Sequence, residues 1–289
     1  MICRLMSFFM FVMMSANAFA RLSGNVGFRD DRRYGQLSEL QYSAVARVEK
    51  KGVTLGTAGF ISENLIITNR HVSDICIKIG CSVYFWDGKQ YQTSDVHLVT
   101  SPKEYNSKTE TDWVIMKSDI PNKHFMSVAP ESTPGNVLRG GFGTLRIIAD
   151  SEIPLIKQAY REAAKEKCAD GEERIKCLNR IANDLLQKKY KLKPLFGDQD
   201  NFKVQNCKIL KVTPEILTTN CDSSGGDSGA PLIRGNQVVG LNVFGFQDIF
   251  RPEKTSFSGA INTRNFYDAV QRILSGQVLP ELLPTKSEK

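Results

Sequence analysis

The chain is short of histidine and tryptophan, with three and two in 289 residues. It has no cysteine pair spaced C-x-x-C, and beyond its first twenty residues no run approaches the roughly 20 apolar residues that a membrane-spanning helix needs. These absences count against a zinc centre and against a membrane protein built of helices. Internal repeats are also missing, as is the bias of a disordered or collagen-like chain. Hydrophobic residues make up 41% and charged residues 24%, enough for a sizeable core in one large domain or two small ones. Acidic residues are the minority charge, leaving a net +7 and raising the question of anionic partners. The basic residues crowd between Lys157 and Lys193, where Glu and Asp are interspersed. Mixed signs at helical spacing read as a solvated helix face, with weak polyanion contact as the lesser reading and no specific nucleic-acid site.

What is present begins with an export leader over residues 1–20. Arg4 supplies a positive start, Leu5 to Met14 an apolar centre, and Ala18-Phe19-Ala20 a small-residue cleavage site. A secreted or periplasmic protein is expected, beginning near Arg21. No Cys follows the apolar run at a lipid-attachment position, so no membrane anchor is expected once the leader is removed. The leader contains Cys3, which leaves Cys76, Cys81, Cys168, Cys177, Cys207 and Cys221. An even number in an exported chain favours disulfides over a metal site. Pairing nearest neighbours gives Cys76–Cys81, Cys168–Cys177 and Cys207–Cys221. No metal or other cofactor is expected.

Short apolar runs broken by turns read as strands at 45–48, 65–68, 82–85, 96–99 and 113–116, with Asp87-Gly88 as a hairpin turn. Val137-Leu138-Arg139 then runs into Gly140-Gly141-Phe142-Gly143. Between 149 and 201 the character changes. Ile175, Leu178, Ile181, Ala182, Leu185 and Leu186 form a helical stripe, Leu155 to Ala164 a preceding helix, and Asp170-Gly171 the turn between them. Strands resume at 208–212, 230–233, 238–244 and 258–261, before a closing helix at 265–274. The chain reads as all-β with one helical insertion.

The residues for chemistry are concentrated in Cys221-Asp-Ser-Ser-Gly-Gly-Asp-Ser-Gly-Ala-Pro-Leu232. A serine between glycines suits a nucleophile whose neighbouring backbone must donate hydrogen bonds, because glycine permits positive φ and close approach of a carbonyl. A serine hydroxyl needs an adjacent base. His71 ends the apolar run Leu65-Ile-Ile-Thr-Asn-Arg-His71, whereas His97 and His124 read as surface residues. The base needs a buried carboxylate. Asp112, at the head of Trp113-Val-Ile-Met, is the candidate, with Asp95 and Asp119 as rivals.

The order His71, Asp112, Ser228 with these flanking words resembles the chymotrypsin/trypsin superfamily of serine proteases. Thr68-Asn-Arg-His71 is similar to the family's His-bearing turn, particularly in HtrA-type bacterial proteases. Asp112-Trp-Val-Ile-Met-Lys117 is similar to its Asp-bearing strand, and Gly141-Phe-Gly143 to the Gly-Trp-Gly that opens its second barrel. Val26-Gly-Phe-Arg-Asp-Asp-Arg32 resembles the start of mature secreted glutamyl endopeptidases, and the Cys207…Cys221 spacing a disulfide of related proteins. The resemblance covers about 43–149 and 204–274.

It implies two six-stranded antiparallel β-barrels, at 43–125 and 126–276, with the insertion at 149–201 in the second. An N-terminal segment at 21–42 would act as a short propeptide, and a tail would follow at 277–289. It implies an oxyanion hole from the amides of Gly226 and Ser228, and a substrate pocket with Asp222 at its base and Gly245 and Gly259 on its walls, favouring Arg or Lys at P1. Asp227 would receive an N-terminal ammonium released by zymogen cleavage. The chain lacks an Ile-Val-Gly-Gly start, so cleavage before Val26, or after Arg32 or Arg33, are the options. The expected activity is that of a secreted or periplasmic serine endopeptidase acting on proteins or peptides. The alternative is a catalytically silent binding or regulatory protein on the same fold, with the helical insertion blocking the cleft.

Overall fold

The computed structural model describes residues 32–103, 110–168, 174–198, 200–246 and 257–277. The expected leader, the segment 26–31, the Asp170-Gly171 turn and the tail beyond residue 277 lie outside the described residues. After a two-residue strand β1 (Arg33–Tyr34), the first barrel is built from β2 (Val45–Lys50), β3 (Val53–Phe60), β4 (Leu65–Thr68), β5 (Ser82–Trp86), β6 (Tyr91–Thr100) and β7 (Val114–Ser118). The strands close in the order β2-β3-β4-β7-β6-β5, every pair antiparallel. Burial alternates along β5, where Val83 and Phe85 point inward, as a sheet with one solvated face requires. Phe60 and Phe85 meet inside at 4.8 Å between ring centroids. The β2–β3 hairpin turns on Lys51 and Gly52, both at positive φ (49° and 80°), which suits the right-handed twist of the flanking strands.

The second barrel takes β9 (Gly135–Gly141), β10 (Lys203–Val212), β11 (Ile216–Thr219), β12 (Pro231–Arg234), β13 (Gln237–Phe246) and β14 (Phe257–Ile261). It closes antiparallel in the order β9-β10-β11-β14-β13-β12, because β9 also pairs with β10. Strand β1 adds to β10, and β8 (Ser127–Val128) adds parallel to β13. The expected pair of six-stranded antiparallel barrels is therefore present.

The apolar stripe of the insertion forms two helices, α2 (Ile153–Ala163) and α3 (Arg174–Lys188). Leu178, Ala182 and Leu186 pack on Ile156, Ala159, Tyr160 and Ala163 in a core of their own, which Leu145 and Leu195 complete. The insertion leaves and rejoins the barrel at a narrow neck. There Leu145 bridges Phe196, and the Arg146 N–H donates to the Leu195 carbonyl at 3.0 Å. The chain closes with α4 (Tyr267–Leu274), preceded by a 3₁₀ turn at Thr263–Asn265. All three cysteine pairs, Cys76–Cys81, Cys168–Cys177 and Cys207–Cys221, are bonded.

One helix departs from expectation. Where the sequence suggests only a turn at His71, the chain forms α1 (Arg70–Ile79). Its Val and Ile content is poor for a helix. Tertiary anchors override that preference: Asn69 enters extended, Gly80 leaves at φ +70° with its N–H on the Cys76 carbonyl, and Val72 and Cys76 pack into the barrel core.

Candidate active site

Strand β4 is buried along its whole length and delivers His71 into the first turn of α1. Asp112, fully buried just before β7, grips that residue twice. One carboxylate oxygen accepts the His71 backbone N–H at 3.0 Å, and the other lies 2.7 Å from Nδ1. A carboxylate oxygen at this distance suits Nδ1 as the donor of the pair, the tautomer in which Nε2 is the acceptor nitrogen. The buried Asn69 ties the same elements together, its Nδ2 donating to the Asp112 carbonyl at 2.9 Å. The rival groups sit elsewhere. Asp119 pairs with exposed His97 at 3.1 Å, Asp95 lies on β6 opposite Ser82, and the His124 N–H donates to Asn122.

Ser228 is half-buried in the loop before β12. Gly226 (φ +91°) and Gly229 (φ +82°) stand on either side of it, in conformations that disfavour any side chain. Space forbids one too. A Cβ on Gly229 would overlap Thr68 Oγ1 and the Thr57 carbonyl and lie 3.1 Å from the Asn69 nitrogen, and one on Gly226 would overlap the Phe142 carbonyl. The serine loop therefore rests on the turn that carries His71. Three of its carbonyls are held: Gly225 by the Thr144 N–H at 2.6 Å, Gly226 by Thr57 Oγ1 at 2.8 Å, and Ser228 by the Thr57 N–H at 2.8 Å. With the carbonyls turned this way, the Gly226 and Ser228 N–H groups donate to no acceptor among the described residues. Ser228 Oγ does not hydrogen-bond His71 Nε2 in this structure; such bonds often tighten only when substrate is bound.

Asp227 is wholly buried and points away from the serine. Its Oδ2 accepts the Ser224 N–H at 2.8 Å and lies 3.2 Å from Arg139 Nη1, which is equally buried. The ion pair is close, but the guanidinium lies off the hydrogen-bond line: none of the three Arg139 nitrogens has an aligned partner among the described residues. Gly141 and Gly143 cradle the carboxylate, since a Cβ on either would overlap it. The sequence suggested an N-terminal ammonium for Asp227; in the intact chain Arg139 stands beside it. Next to this cradle, Lys203 Nζ is also buried and donates to the Gly143 carbonyl at 2.8 Å and the Asp198 carbonyl at 2.7 Å. Burial pulls its pKa below the ordinary lysine value against the opposing pull of Asp198.

Asp222 is buried and forms a reciprocal pair with Gln205. Its Oδ2 accepts from Nε2 at 2.9 Å, and its N–H donates to Oε1 at 2.8 Å. Gly245 and Gly259 lie on the β13–β14 ladder, Gly245 opposite Ser258 and Gly259 opposite Phe244. Ser258 Oγ donates to the Cys221 carbonyl at 2.9 Å, which connects that ladder to the residue before Asp222. Among the described residues no three His, Cys, Asp or Glu side chains are grouped to hold a metal ion.

No family model and no curated protein sequence matches the chain. Among solved structures it is similar to neuropsin, a serine protease expressed in the limbic system of mouse brain. The match has 13% identity, covers 84% of this chain and 99% of that one, and has a TM-score of 0.56. Likeness at this identity speaks for the architecture: the chain has the chymotrypsin-like serine-protease fold.

Proposed function

We propose that the protein is an exported serine endopeptidase. Ser228 Oγ attacks the scissile carbonyl, His71 Nε2 takes its proton and later passes it to the leaving amine, and Asp112 orients and stabilises the imidazolium. The amides of Gly226 and Ser228 receive the oxyanion. The observation that carries this reading is the two-point hold of Asp112 on His71, beside a serine loop in which the Gly225, Gly226 and Ser228 carbonyls are turned onto other donors. Export is supported by the leader and by three disulfides; no helix among the described residues is long and apolar enough to cross a membrane.

Two finer readings follow. Asp222, a buried carboxylate six residues before Ser228, supports cleavage after Arg or Lys, because such a charge gains most from a cation entering beside it. For maturation, Arg32 is buried with its guanidinium on the Leu145 and Arg146 carbonyls at 3.2 and 3.0 Å, and β1 is paired to β10. Arg32 to Tyr34 thus belong to the folded enzyme, which favours any processing upstream of Arg32. With Arg139 beside Asp227, the serine loop is ordered without a freed terminus.

A single experiment addresses activity and preference together. The secreted protein is treated with a fluorophosphonate probe and with fluorogenic peptides varied at P1. The expected result is labelling and turnover after Arg and Lys. Ser228→Ala should lose both, with kcat falling on the order of 10⁶-fold, and Asp222→Ser should lose the basic preference. A folded wild type that neither labels nor turns over any peptide would instead identify a silent protein on a protease fold.

A further inference from the structure

We propose that Thr57 is a positioning residue for the oxyanion hole, a reading that rests on the proposed peptidase chemistry. Thr57 lies on β3 of the first barrel and is wholly buried, 169 residues from the glycine it holds. Its hydroxyl is used in both directions. It accepts the Phe142 N–H at 3.1 Å, so its own proton is left to donate to the Gly226 carbonyl at 2.8 Å. Its backbone N–H meanwhile donates to the Ser228 carbonyl at 2.8 Å, and its carbonyl accepts from Thr68 Oγ1 at 2.6 Å. One residue thus joins the turn before His71, the Gly141-Phe142-Gly143 turn and the serine loop.

The hydroxyl matters because of where Gly226 sits. Glycine at φ +91° has little steric restraint on its own torsions. The peptide that follows it is held through its carbonyl by Thr57 Oγ1. That peptide carries the Asp227 N–H and lies between the two peptides that carry the Gly226 and Ser228 N–H groups, so its rotation would change their spacing. The other wall of the hole is held by a backbone donor, Thr144, which side-chain change leaves in place. The peptide that carries the Ser228 N–H is held by Asn242 Nδ2 on the Asp227 carbonyl at 3.0 Å, and Thr57 Oγ1 is the side chain that holds the peptide between the two amides. Losing it leaves a half-buried carbonyl and a buried N–H without this partner, and they must reorient to recover one.

Three variants separate this role from simple packing. Thr57→Val keeps the branched shape and removes the hydroxyl. Thr57→Ser and Thr57→Ala both remove the methyl group and differ from each other only in the hydroxyl, so that pair remains informative if the valine variant folds poorly. The expected result is a fall in kcat of about 10- to 100-fold in the valine and alanine variants, with KM changed less than about threefold, and recovery to within about threefold of wild type in the serine variant. Binding of a peptide boronate should weaken by the same factor as kcat. Amide exchange across 222–230, followed by mass spectrometry, should speed up in Thr57→Ala and not in Thr57→Ser.

Unchanged kcat and exchange in the alanine and valine variants would overturn the proposal. So would losses that match the unfolded fraction, or equal losses in the serine and alanine variants. The exchange measurement does not depend on turnover. If the wild type fails to react with a fluorophosphonate while exchange still separates alanine from serine, the clamp stands and the peptidase reading falls.

Discussion

A carboxylate and a guanidinium, both at zero exposure, form the pair Asp227–Arg139. Burying two charges gains little over a well-packed apolar pair, but removing one partner leaves the other uncompensated at a cost of about 3–5 kcal/mol. Arg139→Met should therefore destabilise the protein by about that much in urea unfolding. The double variant Arg139→Met with Asp227→Asn should recover part of it, since residues in contact do not add. Full additivity would mean the two charges do not interact. The same scale explains what the sequence disclosed. His71, Asp112 and Ser228 each stand in a local word whose chemistry can be argued from its neighbours. Thr57 and Arg139 stand in no such word. A threonine on a strand is ordinary, and an arginine near a strand end reads as a surface residue. Their roles arise from contacts 85 and 88 positions or more along the chain, which no local pattern carries.

At the scale of elements, α2 and α3 were legible because their apolar stripe had nowhere to go but a mutual core. Helix α1 was not, because its β-branched sequence argues against a helix and it is held by distant partners, the packed Val72 and Cys76, the Asp112 carboxylate on the His71 N–H and the Cys76–Cys81 bond. The two helices of the insertion are also tied by charge. Glu162 on α2 accepts from Lys189 Nζ at 2.7 Å, Gln158 Nε2 at 2.9 Å and the Tyr190 hydroxyl at 2.9 Å. These donors, Lys189 foremost, hold its carboxyl down to about 2 from an ordinary 4.5. A folded-state value below the unfolded one means the contribution is complete above about pH 4.5 and is lost as pH falls toward 2. Protection of the α2–α3 amides, taken relative to the intrinsic exchange rate at each pH, should fall across that window in the wild type. In Glu162→Gln that protection should already be lower at neutral pH and should vary less with acid. Identical profiles would show that the carboxylate does not tie the helices.

For the whole molecule, the candidate site is divided between two barrels. The first supplies His71, Asp112 and Thr57; the second supplies the serine loop, and Arg47 of β2 reaches across to Asp200 at 3.1 Å. The division into strands and insertion could be read from the residues themselves, whereas the two closed barrels were legible only through the family resemblance, because no local pattern tells that β9 meets both β10 and β12. The insertion itself meets its host at a neck, where Leu145 bridges Phe196 and the Asp198 N–H donates to the Thr144 carbonyl at 3.1 Å. Replacing residues 148–194 with a short Gly-Ser linker should leave a soluble protein with both barrels intact, measured by retained cooperative unfolding and by fluorophosphonate labelling. Loss of folding would show that the helices are structural. A graft point of this kind has an evolutionary meaning. Material spliced there can grow, shrink or be exchanged without shifting the register of a single barrel strand. Since Thr144, the holder of Gly225, stands beside the splice, each exchange would be felt first at the serine loop, and on the proposed reading this seam is where lineages would diverge in substrate choice.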